Sequence, residues 1–229
     1  LKSKSIYIEF RNFNDYGKYK KIFKKHGYEF KSHLNFHVDC SSEAEMFKRI
    51  SSSKRRQIKN SLKNGAEIII AKSESEIAQF YDMLKLLYKE KVKKPLPPKE
   101  YFINFFRNPV LGKYFLIKYM NKIIGGIMCP ILDNRVIYEA YVVGEDRKFK
   151  NIYPSILATY AAMDYAAKNG IKIFDFMGAG SADQSYGVRE FKSKFGGELN
   201  YFGRFERINN RILFIFGRFG LKFYRGIKN

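Results

Sequence analysis

Long apolar runs are missing from this chain of 229 residues. The longest, residues 68–71, 123–128 and 212–216, are cut short by charge, glycine or turn residues, so no stretch offers the ~18 apolar residues a spanning helix needs. Cysteine is scarce: Cys40 and Cys129 stand far apart with no CxxC spacing, which excludes a disulfide scaffold and a zinc knuckle and fits a reducing, cytoplasmic compartment. Of the 3 histidines, His33 and His37 share one side of an alternating segment at a spacing that suits a metal. No third His, Cys or carboxylate ligand stands near them, so they are read as covering the sheet and no metal is expected. Neither an initiator Met nor a signal region precedes the strand-like residues 5–10, and an N-terminal part is expected to be missing. Acidic residues are few, 22 against 43 Lys and Arg, leaving a net charge of +21. A field of that size attracts phosphate in nucleic acid, anionic lipid or a diphosphate substrate, although a lysine-heavy proteome gives the same excess without function.

What is present suffices for one sizeable core, since 45% of the residues are apolar. Residues 5–10 read as a strand, Asn14 as the cap of a basic helix over 15–26 stopped by Gly27, and 32–39 as a second strand with Leu34, Phe36 and Val38 on one face. This unit is too small to stand alone and is expected to be the remnant, residues 1–40, of a preceding module. Residues 47–64 read as a helix carrying Lys54, Arg55 and Arg56 behind the capping serines 51–53. A strand at 67–71, a helix at 74–91, the break Pro95-Leu96-Pro97-Pro98 and a helix at 99–107 follow.

Strands at 114–120, 123–132 and 135–143 come next, the last two joined by Asp133-Asn134, a pair suited to the positive φ angles of a tight hairpin. Pro130 calls for an edge or bulge close by, and Gly125-Gly126 for close backbone approach beside a ligand. A helix over 154–169 stopped by Gly170 and a strand at 172–177 complete a β–α–β crossover. Antiparallel strands feeding one parallel crossover give an α/β (α+β) class: a mixed, mostly antiparallel sheet flanked by helices, similar to the GNAT acyltransferase superfold, over residues 41–205. Residues 206–229 alternate Arg and Lys with Phe and Leu as a basic, aromatic, amphipathic helix that suits an anionic membrane or packing on the missing module.

The glycine-rich segment 177–197 lies at a strand's C-terminal end, where such folds place function. Phe174-Asp175-Phe176, followed by Phe191-Lys192-x-x-Phe195-Gly196-Gly197, resembles the closing segment of Fem-type transferases, which add amino acids to peptidoglycan precursors. Arg55-Arg56-x-Ile58 with Asn64-Gly65 resembles that family's helix start. The resemblance runs from about Asp39 to Arg207 and implies an acyl or aminoacyl transferase that forms an amide on an amine of an envelope precursor. It implies that Lys192 stabilises charge as the amine attacks an ester carbonyl, with Phe191 beside it and Tyr141 as a hydrogen-bond donor. An aminoacyl ester is already activated, so a cation near the developing oxyanion serves better than a Ser–His–Asp triad.

Asp175 is read as a turn cap or as a group positioning Lys192 or the amine. Tyr101 keeps an aromatic of the family's substrate region, but Pro97 stands where the family has arginine, a departure that bears on nucleotide-linked precursors. Arg55, Arg56, Arg147 and Lys150 are the residues expected to hold phosphate. No cofactor is expected; the acyl donor is aminoacyl-tRNA or acyl-CoA as co-substrate. Residues 147–154, basic but without glycine, disfavour the pyrophosphate of CoA. Three readings stand: a Fem-like transferase on a phosphate-bearing envelope precursor, working in the cytoplasm or at the inner face of the membrane; an acyl-CoA N-acyltransferase on an amino sugar or amino acid; and a non-catalytic module that binds RNA or membrane.

Overall fold

The computed structural model describes residues 5–180 and 187–227, the side chains of 222–227 excepted. The chain opens with β1 (Tyr7–Arg11), a 3-10 turn, α1 (Lys20–Lys25) and β2 (Glu29–Lys31). Asn14 does not cap the helix: a 3-10 turn precedes α1, whose N-cap is Tyr19 with no side-chain hydrogen bond, and Asp15 Oδ1 accepts from the Gly17 N–H at 2.7 Å ahead of that turn, while Gly27 stops the helix at φ 77°. β3 (Asn35–Asp39) follows, then α2 (Glu43–Arg49) and α3 (Ser52–Lys63) in place of one helix over 47–64. Ile50 and Ser51 are extended between them, because Ser51 turns its hydroxyl to the Lys54 N–H and starts a new helix.

β4 (Glu67–Ile70) leads to α4 (Glu74–Leu87), which opens on a Ser73/Glu76 capping box and ends in a π turn. Then come α5 (Lys99–Phe106), β5 (Gly112–Tyr119), β6 (Lys122–Leu132), β7 (Val136–Tyr138), β8 (Tyr141–Gly144) and α6 (Pro154–Lys168). β9 (Ile173–Asp175), α7 (Gly187–Ser193), β10 (Glu198–Asn200), β11 (Arg204–Ile208) and α8 (Arg211–Ile227) close the chain.

Eight strands form one sheet in the order β10-β3-β9-β7-β6-β5-β4, with β8 continuing beside β6; β7–β9 is a parallel pair and the other pairs are antiparallel. This is the mixed, mostly antiparallel α/β arrangement expected, with the crossover through α6. The boundary expected at residue 40 does not coincide with a break in the sheets. β3 lies inside the main sheet, and β1 and β2 flank β11 in a three-stranded sheet, so the two chain ends build one unit. The C-terminal segment expected to be helical from 206 is strand to Ile208 and helix only from Arg211.

One face of the main sheet packs Phe174, Ile137, Ile127 and Phe115 against α6, α2 and α3; the other packs Met128, Tyr114 and Val143 against α4 and α5. Asp133 and Asn134 take φ 50° and 51° in the hairpin. The bulge expected near Pro130 lies on the partner strand: Ile131 faces Ile137 but Met128 faces Tyr141, one residue out of register. The Ala140 N–H reaches both Met128 O and Tyr138 O at this step. Gly125 and Gly126 are filled by the protein rather than bordering a ligand: added Cβ atoms would lie 2.8 Å from Pro154 Cβ and 2.7 Å from Leu116 Cδ2.

Gly144, the last residue of β8, packs against the first turn of α6, and a Cβ there would lie 2.3 Å from the Ser155 nitrogen, a backbone atom that cannot move alone. Gly144→Ala is expected to cost ~1–3 kcal/mol, read as a lower midpoint in urea unfolding. Gly217→Ala on α8, where a Cβ meets nothing within 4 Å, is the control and gains roughly 0.5–1 kcal/mol in helix propensity.

Candidate active site

The bulge decides which way the strand's side chains point. Ile137 and Glu139 face α6, and without the extra residue Tyr141 would face it too; the slip at Ala140 turns Tyr141 toward α4 and α5 instead. β7 pairs with β9 up to Tyr138–Asp175, and from there β8 runs on beside β6 alone. A wedge opens between the C-terminal ends of two parallel strands, and α7 returns Lys192 to it.

Lys192 is buried, with 11% of its side chain exposed. Its Nζ donates to Phe176 O at 2.7 Å and Gly178 O at 3.0 Å and pairs with Glu139 Oε1 at 3.1 Å. Thr159 on α6 donates from Oγ1 to the other Glu139 oxygen at 3.3 Å. Burial pushes the Glu139 carboxyl up from its ordinary value, and the Lys192 ammonium pulls against that. Phe191, the next residue, is half-buried and carries the Lys54 ammonium 4.2 Å above its ring. Lys54 has no ion pair among the described residues, and burial lowers it to about 8.

Asp175 does not reach Lys192. It sits on the opposite face of the sheet, 1% exposed, with Oδ1 accepting from Asn35 Nδ2 and the Met177 N–H at 2.6 Å each and Oδ2 3.0 Å from His37 Nε2. These are turn-capping contacts, and Met177, at φ 56°, is the turn they hold. Burial lowers His33 to about 4, so it is neutral at pH 7. No group of three metal-binding side chains occurs among the described residues.

Tyr141 and Tyr101 do come together, ring centroids 6.3 Å apart, with Tyr88 at 6.4 Å and Phe102 at 5.0 Å from Tyr141. Burial pushes the Tyr141 hydroxyl up to about 12, so it stays a donor at neutral pH. The basic candidates are dispersed. Arg55 donates to Lys48 O across the α2–α3 break, and Arg56 is exposed. Arg147 lines a cavity of about 140 Å³ between the end of α4 and residues 143–148 at the end of β8, and Lys150 one of about 490 Å³ beside Asn64 and Tyr119. The expected glycine-rich segment 177–197 includes residues 181–186, which lie outside the described residues, as do the side chains of Lys222, Phe223 and Arg225.

Residues 123–219, the span that carries β6–β8, α6, Lys192 and Glu139, match the FemAB family. That span, a little under half of the chain, is similar to the FemAB family. Its fold superposes on the crystal structure of FemX with a TM-score of 0.72 at 14% identity, covering 93% of this chain and 74% of that one. L-PGS from Bacillus licheniformis gives 0.63 at 13% identity over 90% of this chain and 69% of that one. A GCN5-related N-acetyltransferase from Sphaerobacter thermophilus gives 0.51 at 10% identity over 89% of this chain and 59% of that one, which marks the GNAT-like fold. No curated protein matches the chain in sequence. With the Fem-type match goes the reaction class, acyl transfer.

Within this Fem-like site, Glu139 and Lys54 were not singled out from the sequence. Glu139 sits among apolar strand residues, Ile137 to Val143, and that lone acid in a buried run was the available signal; Lys54 stood in the basic run with Arg55 and Arg56. Lys192→Met removes the cation that opposes the burial of Glu139, so the Glu139 carboxyl rises further. A raised carboxyl in the folded state means the folded protein holds the proton more tightly than the unfolded one. The variant is therefore most stable below the ordinary carboxylate range and loses stability as pH climbs through the raised value. By pH 8 the deficit against the parent is expected to reach ~3–5 kcal/mol, and urea unfolding between pH 4.5 and 8 measures it.

Proposed function

We propose that the chain forms an amide bond by transferring an aminoacyl group from an ester donor, aminoacyl-tRNA, to an amine on a phosphate-bearing envelope precursor. The observation that carries this reading is the buried Lys192 ammonium, held in the wedge between the split strands within the FemAB-matching span. The acceptor nitrogen attacks the ester carbonyl, a C–N bond forms, the ester C–O bond breaks and the ribose oxygen leaves with a proton. Lys192 faces the charge that develops on oxygen. All three of its protons are engaged, so it gives up one partner, and Gly178 O, the longer of the two carbonyl contacts, is the one it exchanges. Glu139, its carboxyl raised by burial, is the proton acceptor next to that ammonium. Tyr141, beside Tyr101 on the α4 and α5 side of the sheet, would meet the substrate from the face opposite Glu139. The FemX and L-PGS likenesses agree with an aminoacyl donor and an envelope acceptor.

The acyl-CoA reading is disfavoured by one contact. In a GNAT enzyme the N–H groups ahead of the crossover helix take the pyrophosphate, but here Asp146 Oδ1 accepts from the Ser155 N–H at 3.1 Å. A carboxylate already occupies the positive end of α6, and Gly144 is pressed against the same turn.

The test compares binding of charged tRNA, uncharged tRNA and acyl-CoAs at near-physiological salt, where nonspecific attraction is screened. Charged tRNA is expected to bind more tightly than uncharged, and acyl-CoA not to bind. Lys192→Ala, assayed where circular dichroism shows it folded, is expected to lower turnover roughly 100-fold or more with little change in donor affinity. Unchanged turnover would remove Lys192 from the site, and binding of acyl-CoA alone would move the protein to the second reading.

A further inference from the structure

Helix α8 carries apolar side chains on two opposite sides, and the protein uses one of them. Phe214 stacks on Tyr7 of β1, ring centroids 5.2 Å apart, and Phe214 and Leu221, seven residues apart, are half-buried on that side. Ile212, Ile215, Phe216 and Phe219 recur at i, i+3, i+4 and i+7 on the other side and are 68%, 51%, 69% and 65% exposed. Gly217 and Gly220 stand in open space, where a Cβ would meet nothing within 4 Å. The helix thus rests on β1 by a narrow edge and turns its broader apolar face away from the body.

Two physical facts indicate what covers that face. Charge is the first: from Arg207 to the C-terminus the sequence has six Lys and Arg and no Asp or Glu, and Arg211 and Arg218 flank the exposed stripe. Area is the second. Two Phe and two Ile at these exposures present on the order of 500 Å² of apolar surface, short of the ~800 Å² per partner of a stable protein interface. A basic helix with a narrow apolar stripe suits the boundary of an anionic bilayer, where rings and branched chains enter the acyl region and guanidinium groups stay among the phosphates. No described helix is long and apolar enough to cross the membrane, so α8 lies on it.

We propose that α8 docks the protein on anionic membrane surfaces through Ile212, Ile215, Phe216 and Phe219. This holds whatever acyl group the active site transfers.

The chain contains no tryptophan, so Phe219→Trp places a single reporter on the stripe. With vesicles of phosphatidylglycerol and phosphatidylcholine in equal parts, its emission is expected to shift to the blue and to be quenched by brominated acyl chains; with phosphatidylcholine alone neither occurs at matched concentration. In co-sedimentation with the same vesicles, Ile212→Ser/Phe216→Ser is expected to weaken binding at least tenfold while the unfolding midpoint stays near the parent's. An unshifted tryptophan overturns the proposal. So does undiminished binding by the double variant, which would assign attachment to the +21 charge alone. A dimer in light scattering that the double variant dissociates would give the face to a second copy and would equally overturn it.

Discussion

One extra residue in one strand organises the centre of this molecule. At Glu139–Ala140 the strand following the Asp133–Asn134 hairpin slips by one position against β6. Its side chains exchange faces there, so Glu139 is committed to α6 and Tyr141 to α4 and α5. β8 leaves the parallel partner that β7 has in β9, and the opening between them needs a filler. Lys192 supplies it: an ammonium reaching the carbonyls of Phe176 and Gly178 satisfies the backbone that β8 would have paired, and Glu139 balances its charge. Neither charge is tolerable in that interior without the other.

The same arrangement separates two acidic groups that neighbour each other across the strands. The Asp175 carbonyl accepts from the Glu139 N–H at 2.9 Å, yet their side chains face opposite sides of the sheet. Asp175 is absorbed by Asn35, His37 and the turn at Met177, a set of contacts that fixes the start of the glycine segment. Among the described residues Glu139 has a lysine and a threonine hydroxyl as partners, and burial leaves it with a raised carboxyl.

Asp146 fills the start of the crossover helix from within the chain. The helix N-terminus that could hold a diphosphate is held by the chain's own carboxylate, and Gly144 brings the strand end against the same turn. Basic residues abound nearby, but Arg147 and Lys150 line separate cavities and do not converge on one phosphate. Long-range attraction of polyanions is what such dispersed charge provides.

By itself the sequence determined what depends on neighbours along the chain. The positive φ angles at Asp133–Asn134, the stop at Gly27 and the crossover through α6 follow from turn chemistry and periodicity, which are local properties, whereas Phe191-Lys192 stood out only by its resemblance to the Fem-type closing segment. The break between α2 and α3 was less legible, because three serines each offer a cap and only packing selects Ser51. Tertiary structure alone decided that β1, β2 and β3 pair with strands from the far end of the sequence, since β-pairing joins segments about two hundred positions apart and leaves no local trace. It also decided the site: which face Glu139 takes depends on a one-residue slip against another strand, and a period-two pattern cannot tell on which side of such a slip a residue lies.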